Sequence, residues 1–346
     1  MYKKHIKKFA SGALISLVLA IALSACPVKA TGQVTRIGGS NRYETAAQVA
    51  TSNWTTTDNV VLVSGEGYAD SVSASALAKK LDAPILLTTP DTLNSYAKDV
   101  IEQLKPKNIY VIGGAASISQ NIRDNLKILN YNLIELGGAN RYETNVAVAE
   151  QLIELGVSAS NVLVVGGDGF SDALSVAPVA AVKGQILLLA SNDEDSIQPV
   201  IDFVKNNNSI VTVVGTKYVI NDAIYNALGA DIRVDGGADR FATNLNILSK
   251  FKDDLKNDKL YVASANPDAP DNLYADALVA SSLAGKYSAP LVLIDKDDRY
   301  TADNAIDYIS DISSQNTELY VIGGTGVISD SIVNKINRTI FKPTSQ

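Results

Sequence analysis

Histidine and cysteine are nearly missing from this 346-residue chain: there is one of each, His5 and Cys26, and both lie in the first thirty residues. Beyond residue 30 no side chain supplies the imidazole or thiolate of a Ser-His-Asp or Cys-His nucleophile, and no His/Cys zinc site can be assembled. Carboxylate-only mechanisms stay open. Positive charge is scarce as well. The chain has 30 Lys and Arg against 37 Asp and Glu. Five of the lysines precede residue 31, so the remainder carries 25 basic and 37 acidic groups, a net charge of −12. Such a chain does not hold nucleic acid or an anionic membrane through bulk charge. An acidic partner has to be met by a local basic site, a bridging cation or uncharged contacts.

The chain opens with a leader pattern. Lys3, Lys4, Lys7 and Lys8 precede an uncharged, largely apolar stretch from Phe9 to Ala25. That is the form of a secretory signal peptide, so residues 1–30 are set apart from the fold and export is expected. The stretch is short for a membrane span. Two endings fit. Val28-Lys29-Ala30 suits ordinary cleavage before Thr31, and Leu23-Ser24-Ala25-Cys26 suits a lipobox that would lipidate Cys26. Ordinary cleavage is preferred, because Pro27 follows the Cys directly and a first strand is expected near Val34. Membrane attachment is expected only if Cys26 is lipidated.

The rest is one pattern written three times. Gly38-Gly39-Ser40-Asn41-Arg42-Tyr43-Glu44-Thr45 returns as Gly137-Gly138-Ala139-Asn140-Arg141-Tyr142-Glu143-Thr144, and again as Gly236-Gly237-Ala238-Asp239-Arg240-Phe241-Ala242-Thr243. The three arginines are 99 residues apart. Tyr68-Ala69-Asp70 matches Phe170-Ser171-Asp172 and Tyr274-Ala275-Asp276, and Val111-Ile112-Gly113-Gly114 matches Val321-Ile322-Gly323-Gly324. A period this long exceeds that of solenoid repeats and makes each copy a domain. The boundaries expected are 31–131, 132–229 and 230–346.

Within a copy, short apolar runs alternate with helical patterns. Val60–Ser64, Ile85–Thr88 and Asn108–Ile112 read as strands without polar alternation, as parallel strands covered on both faces do. Asn41–Asn53, Asp70–Leu81, Thr92–Leu104 and Ile118–Leu129 read as helices. Strands near Val34–Ile37, Leu133–Leu136 and Ile232–Val234 are expected to open the three copies. The fold expected is α/β: three tandem doubly wound parallel-sheet units of about 99 residues, packed with pseudo-threefold symmetry. Linkers are nearly absent.

The Gly-Gly turns lead into capping boxes, Asn41 with Glu44 and Asn140 with Glu143. A glycine turn at a helix N-terminus with Arg42, Arg141 or Arg240 beside it could hold an anion. The plainer expectation is that each arginine pairs with Asp70, Asp172 or Asp276. Tyr43, Tyr142, Phe241, Tyr68, Phe170 and Tyr274 could stack on sugar rings, but core or interface packing is the commoner use of such residues. Ile85-Leu86-Leu87, Ile186-Leu187-Leu188 and Leu291-Val292-Leu293 by themselves read as buried strand. No cofactor, metal or catalytic residue is indicated.

Taken together, the GGxNRYET start, the YAD segment, the APILL strand and the VIGG strand resemble the second type of cell-wall-binding repeat, carried by surface proteins of Gram-positive bacteria. The resemblance implies a compact three-repeat module held non-covalently to the wall by an anionic secondary polysaccharide. It implies binding through an isoleucine-leucine-leucine motif, which falls on Ile85, Leu86, Leu87, Ile186, Leu187 and Leu188, with Leu291, Val292 and Leu293 as the departing third copy. The second copy also departs, with Gly184-Gln185 in place of Ala-Pro. A module without catalysis, at the wall or cell surface, is therefore expected. The alternative is a wall hydrolase of the N-acetylmuramoyl-L-alanine amidase type, or a modifier of one.

Overall fold

The computed structural model describes residues 33–266, 274–296 and 299–341. The leader, with Cys26 and both candidate cleavage points, lies outside the described residues. The first stretch of chain forms β1 (Thr35–Ile37), α1 (Arg42–Asn53), β2 (Asn59–Ser64), α2 (Tyr68–Ser71), α3 (Ala74–Leu81), β3 (Ile85–Thr88), α4 (Ser95–Leu104), β4 (Asn108–Ile112) and α5 (Gln120–Ile128). The second forms β5 (Asn132–Leu136), α6 (Arg141–Glu154), β6 (Asn161–Gly166), α7 (Ser171–Lys183), β7 (Ile186–Ala190), α8 (Gln198–Asn206), β8 (Ile210–Val214) and α9 (Asp222–Ala227). The third forms β9 (Ile232–Val234), α10 (Arg240–Lys250), β10 (Lys259–Ser264), α11 (Ala275–Tyr287), β11 (Leu291–Ile294), α12 (Tyr300–Ile312), β12 (Glu318–Ile322) and α13 (Asp330–Ile340). The helix expected over Asp70–Leu81 is broken into α2 and α3, whereas α7 and α11 are continuous.

The described residues form three four-stranded parallel sheets, with strand orders β3-β2-β4-β5, β7-β6-β8-β9 and β1-β12-β10-β11. One expectation is corrected here. The strands read as opening each copy are the closing strands of the preceding sheet. β5 pairs with β4, β9 with β8, and β1 crosses the whole chain to pair with β12, Arg36 opposite Val321. A guanidinium pins each of these closing strands. Arg36 donates to the carbonyls of Gly323 and Ile328 at 2.8 Å each, and Arg233 to those of Gly215 and Ile220 at 3.0 and 2.9 Å. In the first sheet the strand carries Glu135 instead. Arg123 of α5 reaches the equivalent carbonyls of Gly113 and Ile118 and bonds Glu135 at 2.8 Å.

The glycines after β4, β8 and β12 have φ of +116°, +125° and +120°, a region that side chains with a Cβ rarely enter. At two of the three junctions the next copy's Gly-Gly turn lies directly against them, and at the third Gly236 faces the Thr216 side chain instead. A Cβ on Gly38 would sit 2.4 Å from the Gly323 carbonyl carbon, and one on Gly137 would sit 2.7 Å from the Gly113 oxygen. At those two junctions the glycines thus serve backbone-to-backbone closure between copies.

On the inner side α3, α7 and α11 pack on one another around the pseudo-threefold axis. Their facing residues are small, which lets three helices approach closely. Ser75 and Ser281 touch at 2.6 Å between hydroxyl oxygens, and a Cβ on Gly285 would lie 3.2 Å from that of Ala181 and 3.3 Å from that of Lys79.

Candidate functional site

The isoleucine-leucine-leucine strands β3, β7 and β11 are buried within their units. Ile85, Leu86, Leu87, Ile186, Leu187, Leu188, Leu291, Val292 and Leu293 are all 5% exposed or less. Direct contact of these side chains with a polymer, the contact expected above, is not offered by this arrangement. Their sheets are covered on both faces by helices, so the apolar run is spent on the core. These strands are sheet edges, and two of the three edges are closed by a buried asparagine missed in the sequence. Asn145 donates to the Leu187 carbonyl at 3.0 Å and accepts from the Leu189 amide at 2.9 Å; Asn244 does the same with Leu291 and Leu293 at 3.1 and 2.9 Å. The first copy has Ala46 at that place. The signal was the change from Ala46 to Asn145 and Asn244 within an otherwise repeated helix.

At the C-terminal ends of the strands the arginines join one copy to another. Arg42 donates to the Gly65 carbonyl, Arg141 to that of Gly167 at 2.5 Å, and Arg240 to that of Ala265 at 3.0 Å. Each guanidinium also meets the aromatic segment of the preceding copy. Arg141 lies 5.4 Å from the Tyr68 ring and bonds its hydroxyl at 3.2 Å, and Arg240 lies 5.1 Å from the Phe170 ring. Arg42 acts on Tyr274 and on Asp276. The charges of Arg42 and Arg240 reach Asp276 and Asp172 of the neighbouring copy without a direct ion pair to either, while Arg141 is met by Asp168 and Asp70 accepts from Ser117 instead. Burial raises the carboxyls of Asp172 and Asp276, the latter to about 6, while the neighbouring copy's arginine opposes the rise. Arg141 and Arg240 are engaged by carbonyls and rings of the protein itself, whereas Arg42 also lines an open cavity at the start of α1.

Tyr68, Phe170 and Tyr274 meet on the axis, with ring centroids 5.7, 6.1 and 6.0 Å apart. Their rings pack on each other, which leaves no face for a sugar. The capping boxes form with one shift. Asn41 and Asn140 accept from the expected helix amides, but Glu44 and Glu143 bond the amides of Ser40 and Ala139, one residue earlier than expected.

Cavities remain at the strand ends. One of about 250 Å³ lies between the α1 N-terminus, Asp276 and Gly324–Val327; another of about 280 Å³ lies beside Asp168, Asp172 and Tyr218. Both sit at topological switch points of their sheets, between the first and third strands of the unit, where ligands of such folds bind. No group of three or more His, Cys, Asp or Glu able to hold a metal occurs among the described residues.

At the other end of the axis, where α3, α7 and α11 finish, a cavity of about 290 Å³ is lined by Lys79, Lys80, Lys183, Gln185 and apolar residues of α6 and α7. The lysines escaped the sequence reading because they fall one or two at a time at the ends of separate helices. The usable signal was their recurrence nine to eleven residues after Asp70, Asp172 and Asp276.

Comparison with known proteins agrees with this architecture. The chain is 28% identical to "N-acetylmuramoyl-L-alanine amidase LytC" of Bacillus subtilis over 91% of its own length and 60% of that protein's. It is 32% identical to "Amidase enhancer" of the same organism over 87% of its own length and 40% of that protein's. The chain therefore spans less than two thirds of each of these relatives. Among solved structures, Cwp6 from Clostridium difficile superposes with a TM-score of 0.79 and Cwp8 with 0.77, each at 25% identity. The match covers 91% and 89% of this chain, and 49% and 52% of those chains. The family described as Cell wall binding domain 2 matches residues 36–123, 135–225 and 235–333, one match per repeat, and the chain belongs to that family.

Proposed function

We propose that this cell-wall-binding protein holds to the wall through an anionic secondary polysaccharide and carries out no wall chemistry itself. The observation that carries the reading is the closed ring of three wall-binding repeats, which fills residues 36–333 and whose arginines and aromatics join one repeat to the next. Wall binding places the chain at the cell wall or surface. The leader over residues 1–30 supports export there, and Cys26 would add a lipid anchor only if it were processed as a lipobox. The ordinary zinc-amidase route needs an imidazole-held metal to activate water, and His5 lies within the leader.

Co-sedimentation of the purified protein with walls, before and after removal of the secondary polymer, tests the binding reading. Binding lost with the polymer supports it, and equal binding to both refutes it. Release of stem peptides or amino sugars by the highly purified protein would refute the absence of catalysis. A second reading, a modifier of an amidase, is favoured by the similarity to "Amidase enhancer". It is tested by adding the protein to an active amidase on the same walls and measuring its turnover.

A further inference from the structure

We propose that the lysine-lined cavity at the finishing ends of the axial helices is a subsite for an acidic sugar. Its anionic group lies against Lys79, Lys80 and Lys183, and a sugar hydroxyl donates to Gln185. The proposal rests on the wall-polymer reading above and names the place where that polymer is gripped.

Three observations converge on this cavity. First, the chain is acidic overall, yet ammonium groups gather here. Lys79, Lys80 and Lys183 line the cavity, and the charges of Lys256 and Lys286 reach Lys79. Burial lowers the affinity of Lys79 for its proton; Asp82 opposes this, and Lys256 and Lys286 add to it. An anion delivered to the cavity relieves that repulsion.

Second, the internal carboxylates do not consume this charge. Lys183 pairs with Asp254 at 2.9 Å and Lys286 with Asp82 at 2.5 Å. Lys79 and Lys80 have no carboxylate within 4.0 Å among the described residues; Lys79 reaches only the Lys286 carbonyl, at 3.4 Å. Cations do complement helix C-termini, and α3, α7 and α11 all end here. Each such end is worth about half a negative charge. Of the three ammoniums that line the cavity Lys183 is paired with Asp254, and Lys79 and Lys80 face only helix ends.

Third, the buried Gln185 Oε1 has no hydrogen-bond partner, and Gln185 lines the same cavity. An unsatisfied buried acceptor costs about 1–3 kcal/mol, and a turn of the Gln185 side chain into the cavity it lines would let it accept from a ligand hydroxyl. This is also where the second copy departs from the others. Gln185 bonds back to the Ala180 carbonyl at 2.9 Å as Ala83 and Ala289 do to Ala78 and Ala284, and the proline that follows in those copies is absent. The acceptor is thus a feature of one interface, between the first and second copies. Apolar Leu152, Val157 and Ala181 supply the floor on which a pyranose ring can lie.

The test measures binding to purified walls, intact and stripped of secondary polymer, together with melting curves. The wild type is expected to bind intact walls, to lose them on stripping, and to weaken as salt is raised. Lys79→Gln with Lys80→Gln lowers affinity roughly tenfold with melting unchanged, Gln185→Ala lowers it about threefold, and the Lys79→Arg, Lys80→Arg pair keeps it. Glucuronate or glucose 6-phosphate in millimolar amounts displaces the protein, which names carboxylate or phosphate as the anion. Wild-type affinity in the double Gln variant, or displacement by neither competitor, overturns the subsite and leaves wall binding standing. Equal binding of the wild type to intact and stripped walls overturns the polymer reading itself.

Discussion

The two ends of the pseudo-threefold axis are built from equivalent positions on the same three helical segments, yet one is closed by like residues and the other by unlike ones. At the end where these segments begin, Tyr68, Phe170 and Tyr274 fill the axis, and arginines of neighbouring copies lock them from outside. At the end where they finish, the positions that meet are Lys79, Ala181 and Gly285, three unlike residues in close contact, and a cavity lies to one side between the first and second copies. The helices are about 13 residues long, so the two ends are roughly 20 Å apart. The pattern repeats where copies must recognise one another, and it diverges where the molecule has room to face something else.

The contrast can be broken most severely by taking the ring apart. A fragment of residues 31–131 lacks β5, the fourth strand of its own sheet, and exposes its axial helix. It should show no cooperative melting and should aggregate on size exclusion; a monomer with native stability would show that the copies are independent. Phe170→Ala at the aromatic end should cost about 3–5 kcal/mol in denaturant unfolding, because the two neighbouring rings cannot collapse into the space. Asp276 should make the same end sensitive to pH. Its folded carboxyl titrates near 6, above the usual 3.8, so the folded state holds the proton more tightly than the unfolded one. Stability should therefore fall by about 2–3 kcal/mol as pH rises from about 4 to about 6, and level off above. Asp276→Asn should flatten that slope in melting curves.

Smaller effects follow away from the rings. Asn145→Ala leaves two backbone groups of β7 without partners and should cost about 1–3 kcal/mol, read by chemical denaturation. The first copy already has Ala46 at that place. At the lysine end Lys80→Gln should change stability by no more than about 0.5 kcal/mol. A large loss there would mean that the lysines, like the aromatics, hold the ring together.

Much of this was legible in the sequence. The threefold repetition, the buried parallel strands and the axial packing all follow from apolar runs recurring at fixed spacing. Ile85-Leu86-Leu87, read on its own residues, is the core strand that the structure shows. What the sequence could not reveal is hydrogen-bond partnership over long range. Leu133–Leu136 reads as a short strand whichever sheet receives it, and with almost no linker both neighbours are within reach. The guanidinium that pins the closing strand hides for a related reason. It comes from the strand as Arg36 and Arg233, but from a helix as Arg123, so no single column of the repeat displays it. Gln185 was visible as a departure from Ala-Pro, but its unsatisfied oxygen is a fact of burial.

The return of β1 to β12 also frees the ring from the order in which it is written. The Val34 amide donates to Asn337 of α13 at 2.9 Å, so the first described strand and the last described helix lie side by side. A circular permutant that joins these ends and opens between α5 and β5 would keep every strand pairing, with β4 and β5 now meeting as opposite ends of the chain. Its weak point would move from the β1–β12 seam to the β4–β5 seam, where Arg123 rather than Arg36 acts as the latch. The position of the chain break, and not the set of contacts, would then decide which edge gives way first under load.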